Sequence, residues 1–474
     1  MERNRCVDLL RVGAIAIVAL GHWLLVDITY RQGRLSGLNA LLSIGWGRWL
    51  TLPLQVMPVF FVVGGYANAV SWTAHRQRGE GWTDWVRGRV TRLSWPTTVY
   101  AAVVTLAVTA SRLLGADPAV VARAGWLLAL HLWFLPVYLL LIALTPLLLA
   151  LHRRWGAVVP AAMAAGAAMV DVAVLGLHLP LVGFANYLLV WGTMHQWGFA
   201  WQDGTLTRSR PRCGALAAAG AVALTALLAL GPFPVDMIGA GMRVGNTSPP
   251  SIALLALAAV QTGLLLLAEP ALRGLLEPPG RWRSLSRLNR AVMTVYLWHM
   301  VPVVVVAVTL YPAGIMPQPP VGSALWWALR PVWIVLLAAV LAPLTVAVMR
   351  AQRPLRLLPS GLGPSGRWSP VLMAGGLGAL ASALAVLAAG GLAPAGHPPL
   401  PVFGVYVCGV VLVLLSGAPG GAGRSPRPAV APAPGLTRRR RGDRRPVARD
   451  RRPYRRRLPA PGGTGPPHRH GLRP

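Results

Sequence analysis

RVGAIAIVALGHWLL, Arg11–Leu25, sets one arginine and one histidine into a run that is otherwise apolar. With the residues just before it, the run approaches the ~20 residues that a helix needs to cross the hydrocarbon core of a bilayer. Lipid penalises both ionisable groups, so each needs a reason to be there. On a helix, Arg11 and His22 are separated by about three turns, which puts them on one face about 16 Å apart along the axis. They cannot touch. Asp8, three residues before Arg11, lies on the same side and can partner its guanidinium near the helix entrance. His22 then stands alone past the middle of the span. One reading makes Arg11 an interfacial anchor that snorkels and His22 a group hydrogen-bonded between helices. The other turns both toward the interior of a bundle, where buried ionisable groups mark a pathway or a site. A neutral imidazole is the base most easily kept in a low-dielectric place, because its unperturbed pKa is near neutrality.

The same apolar pattern returns along the chain. Of 474 residues, 55% are hydrophobic and 12% charged, and the mean hydropathy is +0.54. Such a profile describes a polytopic membrane protein rather than a set of soluble domains. Spans are expected at about 7–27, 49–72, 95–112, 126–151, 157–177, 181–200, 214–232, 252–274, 291–311, 325–350, 369–391 and 400–416. The expected fold is therefore all-α, with about 10 to 12 transmembrane helices. It divides into a main transmembrane domain over 1–350, additional helices over 351–416 and a tail over 417–474. The first run is followed by GHWLLVDITY and not by a small-x-small cleavage site, so it reads as a retained span and not a signal peptide.

Orientation follows from arginine, the sole basic residue type apart from histidine. Short loops rich in positive charge stay cytoplasmic. MERNR at the start, His75 to Arg92, Arg153 and Arg154, Arg208 to Arg212, Arg273 to Arg290 and Arg350 to Arg367 fall on alternate loops. The facing loops near 232–251, 311–324 and 391–401 contain Arg243 alone, while the first outer loop, with Arg31 and Arg34, runs against the trend. Both termini are placed in the cytoplasm. The net charge of +32 is not spread as a nucleic-acid-binding face, since about +14 of it comes from sixteen arginines and two aspartates after Ser416. That Pro-, Gly- and Arg-rich tail cannot bury enough apolar surface to order itself, so it is expected to be disordered. It is either an anchor for anionic lipids of the inner leaflet or a dispensable extension. Cys6, Cys213 and Cys408 show neither disulfide nor metal spacing.

Further polar groups stand in or beside the apolar segments. VMPVFFVVGGYANAVSW (Val56–Trp72) brings a proline and the adjacent Gly64 and Gly65 into a span, which permits close helix approach or a break. WVRGRVTRLSWPTTVY follows, with Arg89 and Arg92 three apart on one helix face. Two guanidinium groups at that spacing either anchor the inner interface or hold phosphate groups bidentately. NYLLVWGTMHQWGFAWQDG sets Asn186, His195, Gln196 and Asp203 among tryptophans, as an aromatic belt or as a cavity wall. His299 in VYLWHMVP follows Tyr296 by three residues inside an apolar helix, a candidate site pair. Asp171 carries no assignment. There is no Walker loop, Rossmann glycine pattern, metal-ligand spacing, nucleophile elbow or internal repeat.

DLLRVGAIAIVALGH, MPVFFVVGGY, RGRVTRLSWP, HLWFLPVYLLL and VYLWH, in that order, resemble the acyltransferase 3 family of integral-membrane acyltransferases, over about residues 3 to 350. The resemblance implies transfer of an acyl group, commonly acetyl, from acyl-CoA on the cytoplasmic side to a hydroxyl of a carbohydrate, lipid or metabolite. It implies that His22 is catalytic and that Arg89 and Arg92 serve the donor. Two departures stand out. Gly64 and Gly65 replace the Ser-Gly that many members carry, and LWFLPVYLLL lacks a glutamate that many have there.

The expectation is a multi-pass acyltransferase of a bacterial inner or plasma membrane with His22 and Arg11 as its catalytic pair. Arg89, Arg92, Asp8, His299, Tyr296 and His195 surround the substrates. Acyl-CoA is a co-substrate and no cofactor is bound. The partners are the acceptor hydroxyl and membrane lipids, and no nucleic acid. The rival expectation is a transporter or flippase without acyl chemistry, and a third is a membrane-anchored binding protein that works through its arginine tail.

Overall fold

The computed structural model describes residues 4–40, 43–238, 244–352, 363 and 366–417. The tail expected to be disordered falls, from residue 418 on, outside the described residues, as do Arg243, Arg353 and Arg356. α1 (Arg5–Leu25) leads into an antiparallel hairpin of β1 (Val26–Arg31) and β2 (Arg34–Asn39). A single turn, α2 (Thr51–Leu54), precedes α3 (Met57–Gln77) and α4 (Trp82–Leu113). Then come α5 (Pro118–Ala129), α6 (Phe134–Trp155), α7 (Val158–Leu175) and α8 (Asn186–Gln202). They are followed by α9 (Arg210–Ala229), α10 (Ile252–Leu275), α11 (Pro279–Trp298) and α12 (Val301–Thr309). The last are α13 (Ala324–Ala351), α14 (Ser369–Gly390) and α15 (Leu400–Leu415).

Among the described residues, nine helical segments are long and apolar enough to cross a membrane, and ten if α11 and α12, bent by 48° at their break, form one span. That is a multi-pass membrane protein, at the lower edge of the expected number. Two expected spans fall short for different reasons. The 181–200 segment begins as a 3₁₀ turn, Pro180–Ala185, and its helix α8 has 17 residues, several of them polar. The 400–416 segment is apolar throughout but gives the 16-residue α15. The expected span 126–151 is interrupted at residues 130–133, between α5 and α6.

The chain is predominantly helical, as expected, with one two-stranded hairpin added between α1 and α2. Gln32 and Gly33 both take positive φ, +50° and +76°, the signature of a two-residue type I′ turn that matches the twist of its strands. Its backbone pairs internally and at its flanks, with Tyr30 N–H donating to Gln318 Oε1 at 2.7 Å and Arg123 Nη1 to the Leu35 carbonyl at 2.7 Å.

The arginine-rich segments gather at the opposite end of the bundle. Arg5 Nη1 donates to the Leu276 carbonyl at 2.9 Å, Arg153 Nη2 to Thr73 Oγ1 at 2.8 Å, and Arg87 Nη1 to the Ser416 carbonyl at 3.3 Å. In the core, α3 crosses α8 at a distance that only glycine allows. A methyl at Gly65 would overlap the His195 carbonyl, and one at Gly198 would overlap the Val62 carbonyl. The expected close approach at Gly64 and Gly65 is therefore realised against α8 and against Tyr138 of α6. α14 and α15 pack against α4, where the Tyr406 hydroxyl meets Thr98 Oγ1 at 2.9 Å and donates to the Ser94 carbonyl at 3.2 Å.

Candidate functional site

His22 lies in the last turn of α1, four residues before the hairpin begins, and it is half-buried. It is not alone. Its Nδ1 is 2.8 Å from Nε2 of His299, and the two rings stack with centroids 5.1 Å apart. The sequence reading left His22 solitary because a partner 277 positions away leaves no local trace. His299 sits in the break between α11 and α12, fully buried. Its Nδ1 is 2.8 Å from the Tyr296 carbonyl. A carbonyl can only accept, so that nitrogen carries the proton and Nε2 of His299 is left as an acceptor. His22 must then donate through Nδ1. The chain of two hydrogen bonds leaves the lone pair of the pair at His22 Nε2.

The break that hosts His299 is held by indoles. Trp23 Nε1 donates to the His299 carbonyl at 2.7 Å, and Trp333 Nε1 donates to the Trp23 carbonyl at 2.9 Å, so α1, α11 and α13 are tied at one level. A third imidazole belongs to this cluster. The ring of His131, in the turn between α5 and α6, is 4.9 Å from that of His299 and 5.1 Å from that of Tyr296. The Tyr296 hydroxyl donates to the His131 carbonyl, which commits that hydroxyl to holding the turn against α11. His131, within the quoted HLWFLP and inside the expected span 126–151, carries no sequence signal of its own, because the partners that surround it lie on α4 and α11.

Another cluster stands at the arginine-rich end. Tyr138, Arg92 and Arg11 all lie within electrostatic range of Arg89. Arg89 Nη2 donates to the Ala67 carbonyl at 3.0 Å, its guanidinium lies 5.5 Å above the Trp85 ring, and its Nε has no partner among the described residues. Arg92 is exposed, with Nε on the Gly88 carbonyl at 2.7 Å. Acidic residues nearby are committed elsewhere. Glu80 is taken by Arg78 (Nε to Oε1, 2.6 Å) and His75 (2.5 Å), and Asp84 by Arg87. The hydrogen bond from Arg78 holds the Glu80 carboxyl below its ordinary range. Asp8 accepts from Asn289 Nδ2 of α11 at 2.9 Å, a partner on another helix where the sequence suggested Arg11. Among the described residues, no ion pair includes Arg11, Arg89 or Arg92. Arg11 on α1 and Arg92 on α4 thus lie within electrostatic range of Arg89 with no ion pair to any of the three among the described residues, an arrangement that favours the entry of an anion.

His195 is buried within electrostatic range of Arg89, with Nε2 3.4 Å from Thr145 Oγ1. Gln196 Nε2 donates to the Leu148 carbonyl at 3.0 Å, and Asp203 pairs with His152 at 3.0 Å. Asp171, unassigned from sequence, has a structural task. It accepts from Asn186 Nδ2 at 2.8 Å and from the Ile252 amide at 2.7 Å, joining α7, α8 and the start of α10. Asn68, on the glycine-bearing helix α3, is fully buried with neither amide atom bonded among the described residues. Among those residues no group of three His, Cys, Asp or Glu side chains could hold a metal ion.

The two clusters lie at the two ends of one helix face. Arg11 and His22 keep the spacing of about three turns read from the sequence, and α1 is unbroken from Arg5 to Leu25. A family model described as an acyltransferase domain matches residues 4–350. No curated protein and no solved structure matches the chain.

Proposed function

The chain belongs to the acyltransferase 3 family of membrane acyltransferases, and from that premise we propose that it moves an acyl group, acetyl in our reading, from acyl-CoA to a hydroxyl of a carbohydrate, lipid or metabolite. The observation that carries the mechanism is the His22–His299–Tyr296 hydrogen-bond chain, which leaves His22 Nε2 as the available base. The phosphates of the donor meet Arg11, Arg89 and Arg92, and the pantetheine arm runs along α1 toward His22. The acceptor oxygen attacks the thioester carbonyl carbon while its proton passes to His22 Nε2. Collapse of the tetrahedral intermediate breaks the C–S bond, and the departing thiolate takes up that proton. Positioning and exclusion of water supply the rest of the acceleration. With the arginine-rich loops and both termini on the cytoplasmic side of the plasma membrane, the donor enters from within and the acceptor from outside.

The test is release of free thiol from acetyl-CoA by purified protein in nanodiscs. Wild type turns over slowly even without an acceptor. Arg89→Ala/Arg92→Ala raises KM for acetyl-CoA by about 10²-fold with a smaller change in kcat, because charge-assisted hydrogen bonds contribute about 1.5–3 kcal/mol each. An unchanged KM removes these arginines from the donor site, and absence of both turnover and donor binding in wild type removes the acyl-CoA reading.

His299 acts on His22 by fixing its tautomer. His299→Ala lowers kcat about 10–100-fold, the equivalent of one such bond, and leaves KM for the donor near wild type. His299→Gln, which keeps an acceptor at that position, recovers part of the loss. Equal kcat in wild type and His299→Ala refutes this orienting role.

A further inference from the structure

The proposed mechanism has a base and a donor anchor but no group at the oxygen that becomes negative. Arg11 cannot serve, being about 16 Å from His22 along α1, and Arg89 lies within electrostatic range of Arg11. Acyl transfer is accelerated most by preorganised hydrogen-bond donors aimed at that oxygen. His131 has hydrogen-bonding capacity to spare. It is 2% exposed, yet neither of its ring nitrogens has a hydrogen-bond partner among the described residues. The Leu297 backbone bears on the ring without completing a bond. Buried polar groups are almost always satisfied, and one left open in a packed interior points to something that arrives later.

The surroundings fix the ring without using its nitrogens. Tyr100 packs against it edge-on at 5.9 Å, Tyr296 packs at 5.1 Å and holds its carbonyl, and His299 lies at 4.9 Å. His22 is within its electrostatic range. The imidazole is therefore held in place beside the base pair, which is the condition for preorganisation. Trp298 Nε1 is likewise buried and unbonded among the described residues, and its ring packs on Tyr100 at 5.3 Å.

Resting on the acyl-transfer reading, we propose that His131 is the oxyanion donor, its ring N–H bonding the thioester oxygen as the tetrahedral intermediate forms. The balance is simple. The acceptor C–O bond forms, the carbonyl π pair moves to oxygen, His131 stabilises that charge without transferring its proton, and His22 holds the proton taken from the acceptor. When the C–S bond breaks, the oxygen becomes a carbonyl again and His131 returns to its open state. A charged oxygen outcompetes the off-geometry Leu297 backbone, since hydrogen bonds to ionised groups are about twice as strong as neutral ones. The substrate thereby selects the tautomer that donates into the site.

The experiment measures thiol release from acetyl-CoA in nanodiscs for wild type, His131→Ala, His131→Gln and His131→Leu, with thermal unfolding of each. Loss of an oxyanion donor lowers kcat by about 10²–10³-fold. The expected result is that loss in the Ala and Leu variants, an unchanged donor KM in all, and substantial recovery in Gln, which retains an N–H. The inference is overturned if Ala and Leu turn over like wild type. It is equally overturned if Gln is as impaired as Ala, because the ring would then matter for its shape alone. Failure of the acyl-transfer reading is separate, since it shows as absence of wild-type turnover and donor binding.

Discussion

Replacing His22 with alanine lowers acyl transfer by about 10²–10⁴-fold, the range that a positioned general base supplies, while the protein inserts and folds as before. The side chain is half-buried at the end of α1, and among the described residues its one side-chain hydrogen bond is to His299. Removing it opens a small space but leaves no charge exposed to lipid, so thermal unfolding in nanodiscs should shift little. The donor anchor is untouched at the far end of the helix, so acetyl-CoA still binds with wild-type affinity. The informative measurement is kcat beside donor KM. Turnover within tenfold of wild type excludes His22 as the base.

The largest effect on stability is expected at Arg330. It pairs with Asp27 at 2.9 Å, donates to the Val26 carbonyl at 2.9 Å and lies 3.7 Å above the Trp326 ring, while Trp326 Nε1 donates to the same Asp27 oxygen at 2.8 Å. Both side chains are about nine-tenths buried. Arg330→Met strands the carboxylate of Asp27 where α1 passes into the hairpin. Breaking a buried pair from one side costs about 3–5 kcal/mol, whereas replacing both partners with apolar groups is often close to neutral. Arg330→Met should therefore lower the unfolding temperature clearly, and Asp27→Leu/Arg330→Met should regain most of the difference. Equal loss in the single and double variants would mean that the arginine stabilises by packing on Trp326 and not by pairing.

Much of this was legible in the sequence wherever the signal is local. The apolar runs located nearly every long helix, and the spacing of Arg11, His22, Arg89 and Arg92 fixed which groups share a helix face. What stayed hidden was non-local. The His22–His299 and Asp27–Arg330 pairs join residues about 300 positions apart, and nothing in one chain's periodicity records which helices touch. The hairpin is not legible from hydropathy because its first two residues fall in the expected span 7–27 and the rest in the loop before 49–72, although Gln32-Gly33 between alternating residues is a turn signal. The break at His299 lies inside a continuous apolar run, where hydropathy does not distinguish one bent segment from one straight helix.

The unbroken course of α1 has one more consequence. Because guanidinium and imidazole ride on a single stiff rod, the gap between them cannot adapt to its cargo. In the proposed mechanism the helix works as a gauge. A donor whose phosphates and reactive carbon are spaced otherwise engages one mark or the other, never both. Swapping alanine for valine between the marks leaves the scale as it was. Adding or removing a single residue anywhere from Val12 to Gly21 rotates one mark about 100° away from the other and resets the instrument.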